Sequence, residues 1–112
     1  MQPLTDINYK TIIENHFKNS KIVFCAIVSS LKCSNCITVK SNISYFNKKH
    51  PYNNIEFYYI EYTKYDMLQH YYQLTRLMEY PKIIVYYGDW ENIEFYEGVI
   101  TIEELEDIHF KK

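Results

Sequence analysis

Lys32-Cys33-Ser34-Asn35-Cys36 holds the residues of this chain best suited to chemistry. The run before them, Ile22-Val23-Phe24-Cys25-Ala26-Ile27-Val28, is continuously apolar and reads as a buried strand. After them Val39, Ile43 and Phe46 are spaced by four and three, as on one face of a helix. The two thiols therefore fall at a strand-to-helix junction, with Cys33 at or near the helix N-terminus. Unpaired backbone N–H groups and the helix dipole place partial positive charge there, which favours thiolate over thiol. A thiolate attacks disulfides, and a second thiol one turn away resolves the mixed disulfide that results. On this reading Cys33 is the nucleophile, assisted by the ammonium of Lys32, and Cys36 is the resolving thiol.

Other uses of the pair compete with this one. A zinc site needs about four ligands. A second CxxC is missing, and His16, His50, His70 and His109 are scattered along the chain. A metal held by one copy of the chain is therefore not expected, which leaves a zinc or iron–sulfur site shared between two copies as the metal alternative. The bland alternative is a pair of half-buried cysteines without chemistry. Cys25, in the middle of the apolar run, is expected to be an inert core residue. No cofactor is implied.

Composition narrows the class. At 112 residues the chain has room for one domain with one core, assigned here to residues 1–112. The formal net charge is -2 and Arg76 is the only arginine, so a nucleic-acid surface is not expected. No apolar stretch reaches membrane-spanning length. The first residues lack a charged segment followed by an apolar one, so no secretory signal is expected and the cytosol is the expected compartment. There a CxxC signals redox or metal chemistry more often than a permanent disulfide. The 13 tyrosines accompany abundant Asn, Ile and Lys, all read from AT-rich codons. Codon bias explains them without a special role.

The elements that must position the pair follow from pattern. Thr5 or Asp6 caps a first helix to about Lys18, with Tyr9, Ile12, Ile13, His16 and Phe17 on one stripe. The apolar strand follows, then the cysteine helix from about Ser34 to Lys48. Ile55 to Tyr62, rich in aromatic and β-branched residues, is a second strand. A third helix is expected from about Tyr65 to Leu74, or to Met78. Pro81 stops it and opens a strand at Ile83–Tyr87, which turns at Gly88-Asp89 into a hairpin with Ile93–Tyr96. Trp90, in that turn, is expected to pack locally. Gly98 breaks the hairpin, and Thr101 with Glu104 forms a capping box for a last helix, Ile102–Phe110, burying Leu105 and Ile108. The first two strands, joined by a helical crossover, should be parallel.

This order, with CxxC after the first strand and Tyr80-Pro81 opening the third, resembles the thioredoxin-like superfamily over residues 5 to 110. The resemblance implies an α/β, three-layer fold with a four-stranded mixed sheet flanked by about four helices. It implies that Cys33 and Cys36 are the redox pair, and that Pro81 is the cis-proline whose loop faces them and aligns Tyr80 with substrate backbone. Gly98 and the capped last helix match the family's C-terminal pattern. The implied activity is thiol–disulfide exchange with protein disulfides, with an unidentified electron donor or acceptor as second partner. The alternative is a thioredoxin-fold binding module with a vestigial CxxC. Several residues depart from the thioredoxin pattern. Lys32 stands where thioredoxins have Trp, Ser34-Asn35 where they have Gly-Pro, Ile27 where they bury an acid, and Lys82 where a threonine often follows the proline. Ser34-Asn35 between the cysteines and Lys32 before them point to a pair less reducing than thioredoxin's.

Overall fold

The computed structural model describes residues 1–5, 7–28, 33–61 and 81–111. Its strands are β1 (Gln2–Pro3), β2 (Ile22–Val28), β3 (Ile55–Glu61), β4 (Lys82–Tyr87) and β5 (Ile93–Glu97). Its helices are α1 (Tyr9–Lys18), α2 (Ser34–Lys49) and α3 (Ile102–Phe110). The helix expected between Tyr65 and Met78 lies outside the described residues. None of the described helices is long and apolar enough to cross a membrane.

The strands form one sheet in the order β1-β3-β2-β4-β5. β2 is central because it is apolar on both faces and so must be covered on both. It runs parallel to β3, from Ile22 opposite Ile55 to Val28 opposite Glu61. It runs antiparallel to β4, from Ile22 opposite Tyr87 to Ile27 opposite Lys82. Strand alternation sends its side chains into two separate cores. Val23, Cys25 and Ile27 join Tyr9 and Ile13 of α1 on one side of the sheet. Ile22, Phe24 and Ala26 join Val39, Ile43 and Phe46 of α2 and Leu105 and Ile108 of α3 on the other. The result is three layers, as expected.

The sheet has five strands rather than four. The extra one is β1, whose Gln2 and Pro3 lie parallel to Tyr58 and Tyr59 of β3. Leu4 then donates its N–H to the Tyr59 carbonyl at 2.9 Å and is itself fully buried. Two residues, one of them a proline, carry no period-2 signal, and an edge is where a proline is tolerated in a sheet. The first helix also starts later than expected. Thr5 Oγ1 accepts from the N–H groups of Ile7 and Asn8 at 3.3 Å each, and Asn8 Oδ1 accepts from Thr5 N–H at 2.9 Å. This turn precedes α1, whose N-cap is Asn8. Trp90 packs across the molecule on Tyr9 and Phe17 of α1, with ring centroids at 6.3 and 5.3 Å, and donates to Glu14 at 3.2 Å.

The last helix has the expected bounds and cap. Thr101 Oγ1 accepts from Glu104 N–H at 3.1 Å, and Glu104 Oε1 accepts from Thr101 N–H at 3.0 Å. Glu106, on the last helix, clasps α3 to the end of α2. It accepts from His50 Nε2 at 2.8 Å and pairs with Lys49 at 3.0 Å. The hydrogen bond from His50, then that from Lys49, hold the Glu106 carboxyl below its ordinary value. A carboxyl depressed in the folded state adds stability above its unfolded value and loses it as pH falls through the folded one. Glu106→Gln should therefore lower the urea midpoint at pH 7. The gap to the native chain should close as the pH is taken below about 4. A gap of equal size at pH 7 and pH 3 would contradict the clasp.

Candidate functional site

Helix α2 crosses the sheet against the direction of β2. Near its C-terminal end Phe46 lies against Phe57, with ring centroids 6.2 Å apart, and Phe57 against Phe24 at 5.1 Å. Val39 and Ile43, towards the other end of the helix, belong to the same buried cluster as Ala26 and Ile83. The N-terminus of α2 therefore projects at the C-terminal end of β2. Asn42 fixes the helix from the side by donating to the Ile100 carbonyl at 2.9 Å.

Cys33 is the N-cap of this helix, with extended backbone at φ -134° and ψ 91°. Its Sγ accepts the Cys36 N–H at 3.2 Å, and its carbonyl accepts from Ile37 N–H at 3.3 Å. The sulfur thus takes the capping role usually filled by a Ser or Asp oxygen. Cys33 and Cys36 are joined as a disulfide, with sulfurs 2.09 Å and Cα atoms 5.2 Å apart. Cys33 is half-buried, whereas Cys36 is 9% exposed and sits one turn into the helix. The first turn of α2 carries no acidic residue, so no side-chain charge there opposes the positive end of the dipole.

Pro81 arrives at the same end of the sheet. It is buried and immediately precedes Lys82, which pairs opposite Ile27 near the end of β2. Its carbonyl accepts the Gly98 N–H at 2.9 Å. Gly98 is buried with φ at 76°, a conformation that disfavours any residue with a Cβ, so the break after β5 is tied to the entry of β4. Lys32 and Tyr80, the other expected site residues, lie outside the described residues. Two apolar side chains stay in solvent near the junction: Ile37, directly after Cys36, at 69% exposure, and Val99, directly after Gly98, at 37%.

Cys25 has a different environment. It is 2% exposed, lies mid-strand between Tyr58 and Ile84, and burial pushes its thiol up to about 12. A groove of about 630 Å³ opens at the opposite end of the sheet, lined by residues that include Lys21, Tyr87, Asn92, Glu94 and Lys111. Of its lining groups Tyr87 and Lys111 reach the Glu94 carboxylate, as does neighbouring Tyr96, while Lys21 pairs with Glu56. Among the described residues no group of three or more His, Cys, Asp or Glu side chains is arranged to hold a metal ion.

Cys33, Cys36 and Pro81, the site residues expected from residue pattern that fall among the described residues, lie at one end of the sheet, but pattern carries less about their surroundings. It did not reveal that Lys82 is completely buried. The available signal was a lysine standing directly before Ile83-Ile84-Val85 in a strand next to the central one.

No family model matches the sequence, and no curated protein does either. Solved structures do match in three dimensions. A thioredoxin from Fasciola hepatica superposes with a TM-score of 0.74 at 14% identity, covering 100% of each chain. The germline-specific thioredoxin Deadhead from Drosophila melanogaster gives 0.70 at 14%, covering 96% of this chain and 94% of its own. Thioredoxin f2 from Chlamydomonas reinhardtii gives 0.70 at 12%, covering 96% and 92%. The fold is therefore thioredoxin-like.

The different surroundings of the three cysteines lead to a prediction about the reduced protein. Iodoacetamide at pH 7 should alkylate Cys33 first and Cys36 more slowly. Cys25 should react only after unfolding in denaturant. Peptide mass mapping over time reads the order, and early labelling of Cys25 would contradict it.

Proposed function

We propose that this chain is a thiol–disulfide oxidoreductase that exchanges electrons with protein disulfides through Cys33-Ser34-Asn35-Cys36. The observation that carries the reading is the capping geometry, in which the Cys36 N–H points at Cys33 Sγ at 3.2 Å. A hydrogen-bond donor and a helix N-terminus both favour negative charge on that sulfur once the disulfide is reduced.

The reaction then runs in two displacements. The Cys33 thiolate attacks one sulfur of a substrate disulfide. The substrate S–S bond breaks, its electron pair leaves on the second sulfur, and that sulfur takes a proton. Cys36 gives up its proton and attacks Cys33 Sγ, which releases the first substrate sulfur as a thiolate and forms the Cys33–Cys36 disulfide. The substrate gains two electrons and the pair loses them. With a substrate dithiol the same steps run backwards, and relative potentials choose the direction. A Cα separation of 5.2 Å lets the bond form without displacing the helix. Exposed Ile37 and Val99 suit an extended polypeptide more than a small polar disulfide. In this reading Lys32 adds positive charge beside Cys33, and Tyr80 with Pro81 aligns the substrate chain.

Insulin disulfide reduction, with dithiothreitol as electron source, tests the proposal. The native chain should accelerate precipitation of the insulin B chain. Cys33→Ser should lose the acceleration by at least about 10²-fold, because the remaining thiol lacks the cap and is buried. Cys36→Ser should accumulate a mixed disulfide at Cys33 visible by mass. Full activity in Cys33→Ser, or failure of the reduced pair to re-form its bond, would favour a binding module instead.

A further inference from the structure

Lys82 is 0% exposed, and among the described residues it is the one buried charged side chain. Taking an ammonium out of water is costly even when it is compensated, and buried ion pairs are often no more stabilising than apolar residues of similar volume. An apolar side chain would simply extend the Ile83-Ile84-Val85 run. Stability is therefore a poor reason for a lysine here, and its location suggests a better one.

Lys82 opens β4 directly after Pro81 and pairs opposite Ile27 on β2 and Glu97 on β5. Strand alternation puts it on the sheet face of Ile84 and Tyr86, the α1 side, shared with Ile27. Ile27 is the last residue but one of β2, and the chain passes from there to Cys33. A buried cation thus stands at the same end of the sheet as the disulfide. Among the described residues that core also holds Tyr9, Cys25, Tyr58 and Tyr86, with His16 bonded to the Tyr58 hydroxyl, and burial pushes the Cys25 thiol and the Tyr58 hydroxyl up. Glu97, facing Lys82 across the ladder, is the opposing charge.

Charge in a low-dielectric interior acts more strongly and is less screened by salt than charge on the surface. Its effect differs between the two redox states. The disulfide is neutral, whereas the reduced pair holds a thiolate, so a buried cation at the same end of the sheet, even on the face opposite α2, favours the reduced state. We infer that Lys82 is a positioning residue that sets the potential of the Cys33–Cys36 pair, making it more oxidising than an apolar residue would, with Glu97 partly offsetting it. The inference rests on the oxidoreductase reading.

Equilibration with glutathione tests it. One glutathione thiolate attacks Cys33 Sγ, the Cys33–Cys36 bond breaks, and the electron pair leaves on Cys36, which takes a proton. A second glutathione thiolate attacks the glutathione sulfur of the mixed disulfide and releases Cys33 as a thiolate. Two glutathiones are oxidised to their disulfide and the pair is reduced. Thiol trapping across glutathione buffers at pH 7 gives the equilibrium constant.

Lys82→Met should shift that constant towards the disulfide by roughly tenfold, about 30 mV in potential. The pH midpoint of Cys33 alkylation should rise with it. Lys82→Arg should keep both near the native values. Glu97→Gln, at an exposed position of the edge strand, should shift the potential the other way. This variant also decides the matter if Lys82→Met fails to fold. An unmoved potential and pH midpoint in either folded neutral variant overturns the role of Lys82 while leaving the enzyme reading intact. A native pair that does not equilibrate with glutathione at all overturns both.

Discussion

Strand β2 is held from both edges, and the rest of the molecule is arranged around that constraint. All seven of its residues are registered with β3, and six of them with β4. Both of its faces are covered, so each side chain from Ile22 to Ile27 is buried. A one-residue slip would move every side chain to the wrong core, exchanging Phe24 and Ala26 with Val23 and Cys25. The register is thus strongly specified, and with it the place where the strand ends. Because the chain leaves the sheet there, the position of Cys33 is a consequence of how the strand is packed.

The second half of the placement comes from α2. A helix that follows a strand can lie on the sheet in many orientations unless something fixes its far end. Here Phe46 is that anchor, completely buried between Phe57 and His109, with His50 and Glu106 clamping the last turn to α3. With one end held, the other end and its free N–H groups must face the junction. Those N–H groups need acceptors. One of them is met by Cys33 Sγ, which means that helix capping and thiolate stabilisation are a single hydrogen bond serving two purposes.

How far residue pattern reveals structure varied with how local the cause was. The bounds of α3 were readable because Thr101 and Glu104 cap it through contacts three residues apart. The strands β2 to β5 were readable because their composition is apolar or aromatic enough to identify them without knowing their partners. β1 was not, since Gln2 and Pro3 become a strand only by lying against Tyr58 and Tyr59, more than fifty residues away. The late start of α1 reflects a local competition, in which Thr5 and Asn8 bond each other's backbone in a turn before the helix can begin. Trp90 illustrates the same limit from the side of packing. Its neighbours Tyr9 and Phe17 belong to the other end of the chain. Of the candidate site, the cysteines and Pro81 were legible by type and spacing, while the burial of Lys82 depends on which strands flank it.

The three cysteines show why residue type alone does not identify a reactive site. Cys25 and Cys33 are the same residue eight positions apart, yet the fold treats them in opposite ways. Around Cys25 the sheet removes water, so the neutral thiol is favoured and its proton is held up to about 12. At Cys33 the backbone has left the ladder and the sulfur meets a helix N-terminus with an N–H directed at it. One site raises the free energy of the thiolate by desolvation, and the other lowers it by hydrogen bonding and dipole alignment. Both environments follow from where β2 ends: residues before Val28 inherit the dry interior of the sheet, and Cys33, at the start of α2, receives the polar edge of the helix.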